Sequence, residues 1–157
     1  MKVAVIGVGS MGKNHARIYS ELSEVELCGV ADSQVKVAEK VGAAYNAHPY
    51  ADYRKLLEKE RPDAVSIAVP TALHEEAAQA AFEAGAHVLV EKPIASTRSG
   101  AQHIINKAKA TQRKLMVGHV VRFNPAIQAL KQKLQNGELG RIFQLLCRRI
   151  GPFPGRI

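Results

Sequence analysis

The chain has 157 residues, of which 46% are hydrophobic and 23% charged, a balance that fits a folded globular domain and argues against a disordered segment. No apolar run approaches the length that spans a bilayer, and Lys2 is followed by only four apolar residues before Gly7, so no secretory leader or membrane partner is expected and the expected location is cytoplasmic. The net charge of +8 is uneven: residues 1–100 carry 11 Lys and Arg against 13 Asp and Glu, whereas residues 101–157 carry 11 against Glu138 alone.

Residues 3–6 form a short apolar strand that runs into Gly7-x-Gly9-x-x-Gly12, and the polar run from Lys13 to Arg17 continues as a helix. Glycines at such a strand-to-helix turn suit a dinucleotide pyrophosphate. Gly7 permits the tight turn, Gly9 lets backbone approach the phosphates, Gly12 lets the helix lie close on the strand, and the helix N-terminus offers N–H groups. Residues 25–30 read as a second strand closed by Asp32, 20 residues beyond Gly12, where a carboxylate accepts hydrogen bonds from ribose hydroxyls. Ser33 is expected to cap a helix reaching about Val41, with Gly42 ending it and a short strand over 43–45. Asp52 caps a helix over 53–60 that Pro62 stops, and the apolar run 64–69 is a strand covered on both faces. A helix over 72–84 ended by Gly85, a strand over 87–90, a helix over 97–110 and a strand over 115–117 complete a sustained β-α alternation. The expected fold is α/β, a doubly wound parallel sheet with right-handed crossovers.

Ligands of such sheets bind beyond the carboxyl ends of the strands. The segments there are Gly7 to Gly12, Asp32-Ser33, Val69-Pro70-Thr71, Glu91-Lys92-Pro93 and Gly118-His119, which are expected to converge on one crevice. Lys92 is the candidate catalytic residue. A lysine partly desolvated near a nicotinamide cation would have its pKa lowered and could exchange a proton with a substrate hydroxyl; the alternative is a surface lysine on a loop. Asp32 followed by Ser33, with no adjacent arginine, favours NAD over NADP because a carboxylate repels a 2′-phosphate. Cys28 and Cys147 lie in apolar runs without metal-ligand spacing and are expected to be buried thiols; no metal site is expected.

These motifs in combination resemble the glucose-fructose oxidoreductase / inositol dehydrogenase / MocA family of NAD(P)-dependent sugar oxidoreductases. The resemblance is carried by Gly7 through His15, by Val69-Pro70-Thr71-x-x-His74, and by Ala84 through Ala95 with Glu91-Lys92-Pro93 inside it. The run from Gly118 to Pro125 looks like that of nucleotide-sugar members, such as the UDP-N-acetylglucosamine 3-dehydrogenases, and residues 151–157 point the same way. Val121 departs from that run, standing where those members usually have glutamate, and Gly100 falls in a helix start at a cost of about 1 kcal/mol against alanine. The resemblance implies pyrophosphate contacts at Gly9, Ser10, Met11 and Gly12, ribose binding at Asp32, and a cofactor groove lined by Pro70, Thr71 and His74. It implies that Glu91, Lys92 and Pro93 border the nicotinamide, with Arg122 and Asn124 near the substrate. His74 has a second reading as a capping or packing residue, and His119 reads as a core histidine.

Family members continue into a second domain built on a broad sheet, which supplies an Asp and a His to the catalytic set. Here residues 1–123 are expected to be the dinucleotide-binding domain, and 124–157 to hold a crossover helix over 124–135 and the first strand of that sheet over 142–150. The expected function is the NAD-binding half of a sugar or nucleotide-sugar dehydrogenase with little turnover of its own. The alternative is a non-catalytic dinucleotide-binding module. A homo-oligomer is expected, through the second-domain sheet or its remnant strand at 141–150, which the non-catalytic module would use to self-associate. The basic last third suits an anionic small molecule or an acidic partner face better than nucleic acid, because it lacks the aromatic interleaving of a single-strand binder.

Overall fold

Six short segments, all but one of them mainly apolar, pair as parallel strands in the computed structural model, which describes residues 1–148 and 150. They are β1 (Lys2–Ile6), β2 (Glu26–Ala31), β3 (His48–Tyr50), β4 (Ala64–Ile67), β5 (His87–Val90) and β6 (Leu115–Val117), in the spatial order β3-β2-β1-β4-β5-β6. The helices between them are α1 (Gly12–Glu21), α2 (Val35–Tyr45), α3 (Tyr53–Glu60), α4 (His74–Glu83) and α5 (Arg98–Ala110), with a 3₁₀ turn over Thr71–Leu73 leading into α4.

Period-two alternation sorts the strand side chains onto two faces. Val3, Val5 and Val30 pack with Ala16 of α1 and Val41 of α2, while Ile6, Ile67 and Val90 pack with Leu56, Phe82 and Ile104 of α3, α4 and α5. Burying Phe82, 1% exposed, contributes roughly 1.5–3 kcal/mol. Ser66, a hydroxyl within the otherwise apolar β4, is fully buried and satisfied by the Tyr19 hydroxyl at 2.6 Å. The order reverses at β1, which sits between β2 and β4. Gly7 N donates to Ala31 O at 2.7 Å and Ala68 N to Ile6 O at 2.8 Å, so the end of β1 is tied on both sides.

Several expected elements differ in the structure. Gly42 does not end α2; the helix continues to Tyr45 and closes at Asn46, which is left-handed at φ 53°. A Cβ at Gly42 would lie 2.6 Å from Ala47 O, so this glycine serves close packing inside the helix. Residues 43–45 are therefore helical, and the short strand is β3, five residues further along. Ser33 is not a cap, since α2 starts after Gln34, whose backbone N–H is held by Asp32 Oδ1 at 3.0 Å. Asp52 and Thr97 do cap α3 and α5. A Cβ at Gly100 would meet Glu75 Oε2 at 2.6 Å, the mobile end of a long side chain, and Thr97 Oγ1 at 3.2 Å, so an alanine there would require the glutamate to turn aside.

Residues 1–119 form one compact unit and 120–157 a second. The second holds a 3₁₀ turn over Val120–Phe123 and the helix α6 (Pro125–Gln135), capped by Asn124, whose Oδ1 accepts from Ala126 N at 2.9 Å. The strand expected over 142–150 is absent among its described residues, which are without regular structure; a strand needs a partner ladder, and none is supplied within the described residues. Cys28 is buried as expected, whereas Cys147 is exposed for the same reason that its strand is absent. Residues 151–157, which carried part of the resemblance, lie outside the described residues. No helix among the described residues is long and apolar enough to cross a membrane.

Candidate functional site

A cleft of about 390 Å³ opens at the carboxyl ends of β1, β2 and β4. Its floor is the glycine turn. Gly7 takes φ +83°, and a Cβ there would lie 2.8 Å from the backbone of Ala68 and Val69; a Cβ at Gly12 would lie 1.8 Å from Gly7 O. Gly9 is different: a Cβ there meets nothing within 4 Å, so its backbone faces open space. Helix α1 begins at Gly12 with no side-chain cap on Met11 and no acid in its first turn. Ser10 and Met11 are exposed beside that end, where the positive pole of the helix favours a group of opposite charge.

Asp32 lines the cleft and is half-buried. Its Oδ2 accepts from Val8 N and its Oδ1 from Gln34 N, both at 3.0 Å, so the carboxylate fixes the glycine turn against the end of β2. Each oxygen retains a lone pair for a further donor. Ser33, Val69 and Pro70 also line the cleft. The wall facing Asp32 comes from Asp52, Tyr53, Leu73 and Glu76, which the sequence reading did not assign to the site. The Glu76 carboxylate is held by Arg54 and by the Tyr53 hydroxyl. Burial and the Glu76 carboxylate hold the Tyr53 phenol above its ordinary range, so it stays a neutral donor. The signal for this wall was available: Asp52 and Tyr53 follow β3, and placing that strand at 43–45 hid the fact that they stand at a strand end.

The remaining candidates are distributed as follows. Thr71 is half-buried in the 3₁₀ turn. His74 is 1% exposed and packs with its ring nitrogens 2.9 Å from Pro93 O and 3.0 Å from Val69 O, which ties the segment after β4 to the segment after β5. Glu91 is buried and turned inward, with Oε1 on His15 Nε2 at 3.0 Å. Lys92 and Pro93 are exposed and joined by a cis peptide. This chain's own residues leave Lys92 exposed and do not themselves desolvate it. His119 is exposed, not a core histidine, since it follows the edge strand β6. Arg122 and Asn124 belong to the second unit, both exposed, with the Asn124 side chain engaged in capping α6. Among the described residues no cluster of His, Cys, Asp and Glu could hold a metal ion.

The glycine cradle with its uncapped helix end, beside a carboxylate with spare acceptor capacity, fits a dinucleotide. Residues 1–119 match the oxidoreductase family described as having an NAD-binding Rossmann fold. This chain belongs to that family. It is 36% identical over 156 residues to UDP-N-acetylglucosamine 3-dehydrogenase of Acidithiobacillus ferrooxidans, covering 99% of this chain and 47% of that protein. It is 35% identical over 140 residues to 4-carboxy-2-hydroxymuconate-6-semialdehyde dehydrogenase of a Sphingobium species, covering 88% of this chain and 44% of that protein. The WlbA dehydrogenase of Bordetella pertussis, solved in complex with NADH and UDP-GlcNAcA, superposes with a TM-score of 0.86 at 26% identity, over 91% of this chain and 45% of that one. The chain thus spans less than half the length of these relatives.

Proposed function

We propose that the chain binds NAD in preference to NADP in this cleft, as the cofactor-binding part of a dehydrogenase that moves hydride between a sugar or nucleotide-sugar carbinol and the nicotinamide. The observation that carries the cofactor preference is the charge of the lining. It includes the carboxylates of Asp32, Asp52 and Glu76 and, among the described residues, no lysine or arginine. A 2′-phosphate would face this negative charge, and the nearby Arg54 is already committed to Glu76.

A bound nicotinamide supplies the hydride acceptor or donor. The chain's own residues would hold it: Gly9, Ser10, Met11 and Gly12 receive the pyrophosphate on backbone N–H groups, Asp32 accepts from the ribose hydroxyls, and Val69, Pro70 and Thr71 wall the groove. Lys92 would exchange the proton of the substrate hydroxyl; Arg122 and Asn124, which belong to the second unit, are separately proposed as substrate contacts. The sugar class rests on the relatives, since UDP-N-acetylglucosamine 3-dehydrogenase is among them. Calorimetric titration tests the reading. NADH is expected to bind at least about tenfold more tightly than NADPH, and Asp32→Ala to narrow that gap. Absence of NADH binding at millimolar concentration would overturn it.

Self-association has an observation of its own. Phe143, Leu145 and Leu146 are 85%, 73% and 84% exposed, an apolar run that a second copy would cover.

A further inference from the structure

Glu91 stands at the end of β5 in the segment expected to border the cofactor, yet its carboxylate does not line the cleft. It is 7% exposed and held from three directions. Oε1 accepts from His15 Nε2 at 3.0 Å, and Oε2 accepts from the backbone N–H of Lys92 at 3.2 Å. From the third side Gly118 closes in, where a Cβ would come within 3.3 Å of the carboxylate carbon. The backbone of Glu91 is fixed as well, its N–H donating to Ile67 O at 2.9 Å. A buried carboxylate is costly unless hydrogen-bonded, so these partners determine where it sits, and it in turn determines them.

The partners belong to different parts of the crevice. His15 lies in the first turn of α1, directly after the glycine turn, whereas Glu91, 76 residues further along the chain, and Lys92 follow β5. We infer that Glu91 and His15 are positioning residues, a pair of one buried and one half-buried side chain that locks the Lys92 backbone to the phosphate-cradling end of α1. The inference rests on the proposed reading for the meaning of those two ends, while the lock itself is a property of the chain alone. It gives Gly118 a purpose, because any side chain there would press on the carboxylate.

Amide hydrogen exchange of the full chain, followed by NMR without cofactor, tests the lock directly. Glu91→Ala is expected to speed exchange of the Lys92 amide about tenfold while the β5 amides of Val88 and Val90 keep wild-type protection. Glu91→Gln is expected to restore protection, since its carbonyl can accept from Lys92 N and its amide can donate to the other tautomer of His15. His15→Ala, which keeps the carboxylate, is expected to release Lys92 partly. A second measurement, NADH titration, is expected to show about tenfold weaker binding for Glu91→Ala and near wild-type binding for Glu91→Gln, although neither Glu91 nor His15 lines the cleft. Unchanged Lys92 exchange in a folded Glu91→Ala, or a Glu91→Gln as perturbed as the alanine, would overturn the inference. If Glu91→Ala does not fold, His15→Ala and Glu91→Gln decide it by the same readouts. Failure of wild-type chain to bind NADH would overturn the proposed function, and the exchange measurement would still judge the lock.

Discussion

Gly9 and Gly12 stand three positions apart in one motif and differ in what an added methyl group would meet. At Gly12 it would lie 1.8 Å from Gly7 O, so backbone must move; at Gly9 it would meet nothing within 4 Å. Gly12→Ala is therefore expected to lower stability by about 1–3 kcal/mol and to weaken NADH binding with it. Gly9→Ala is expected to leave the melting temperature unchanged and to weaken only binding, because its methyl fills the space that a phosphate would approach. Thermal melts and calorimetry on the two variants check this, and equal loss of stability in both would contradict it. At this scale the sequence was informative where chemistry and spacing coincide, as at Gly7, Gly12 and Asp32. It was less so where burial decides. Lys92 and Glu91 are adjacent in sequence, and only the packing of His15 and Gly118 turns one inward while the other stays exposed.

At the scale of elements, β2, β3 and α3 share a titratable cluster of Cys28, His48, Tyr50 and Glu60. Glu60 of α3 accepts from the Tyr50 hydroxyl and from His48 Nδ1 at 2.8 Å. Burial, followed by the hydrogen bond to Glu60, pushes the Tyr50 phenol up to about 12; burial, followed by the Glu60 carboxylate, pushes the Cys28 thiol up to about 11. Burial works against ionisation of Glu60, but the hydrogen bonds from Tyr50 and His48 outweigh it and hold the carboxyl below its ordinary value. The folded chain thus keeps the protons of Tyr50 and Cys28 more tightly than the unfolded chain does. Their stabilisation is complete below the ordinary values of 10.0 and 9.0 and is lost as pH rises through about 12 and 11. Tyr50→Phe is expected to remove the upper part of that alkaline decline while leaving the part due to Cys28. Circular dichroism melts across this range check it, and an identical decline in both proteins would refute it. The same region shows why part of the fold was not legible. Gly42 looks like a helix end in sequence, but its role is contact with Ala47 O and Pro49, and the actual stop is Asn46 in the left-handed region. That shift moved β3 and hid the Asp52-Tyr53 wall of the cleft.

For the molecule as a whole, the distribution of burial decides which part carries the stability. Every buried hydrophobic residue among those described lies between Val3 and Ala108, while residues 120–148 are all exposed. The β-α alternation that builds this core could be read directly because every strand except β3 is a short, mostly apolar run. The region after Asn124 could be read only as far as α6, whose cap and N-terminal proline are local signals, and a strand at 142–150 would depend on a partner that no local pattern supplies. A chain of residues 1–119 is therefore expected to unfold cooperatively within a few degrees of the full chain and to retain NADH binding. The full chain, which adds the exposed Phe143, Leu145 and Leu146, is expected to scatter light as an oligomer while residues 1–119 remain monomeric. A large fall in melting temperature on removing 120–157 would mean that the second unit stabilises the first. Equal scattering by the two chains would mean that self-association, where it occurs, is mediated by the sheet-bearing unit.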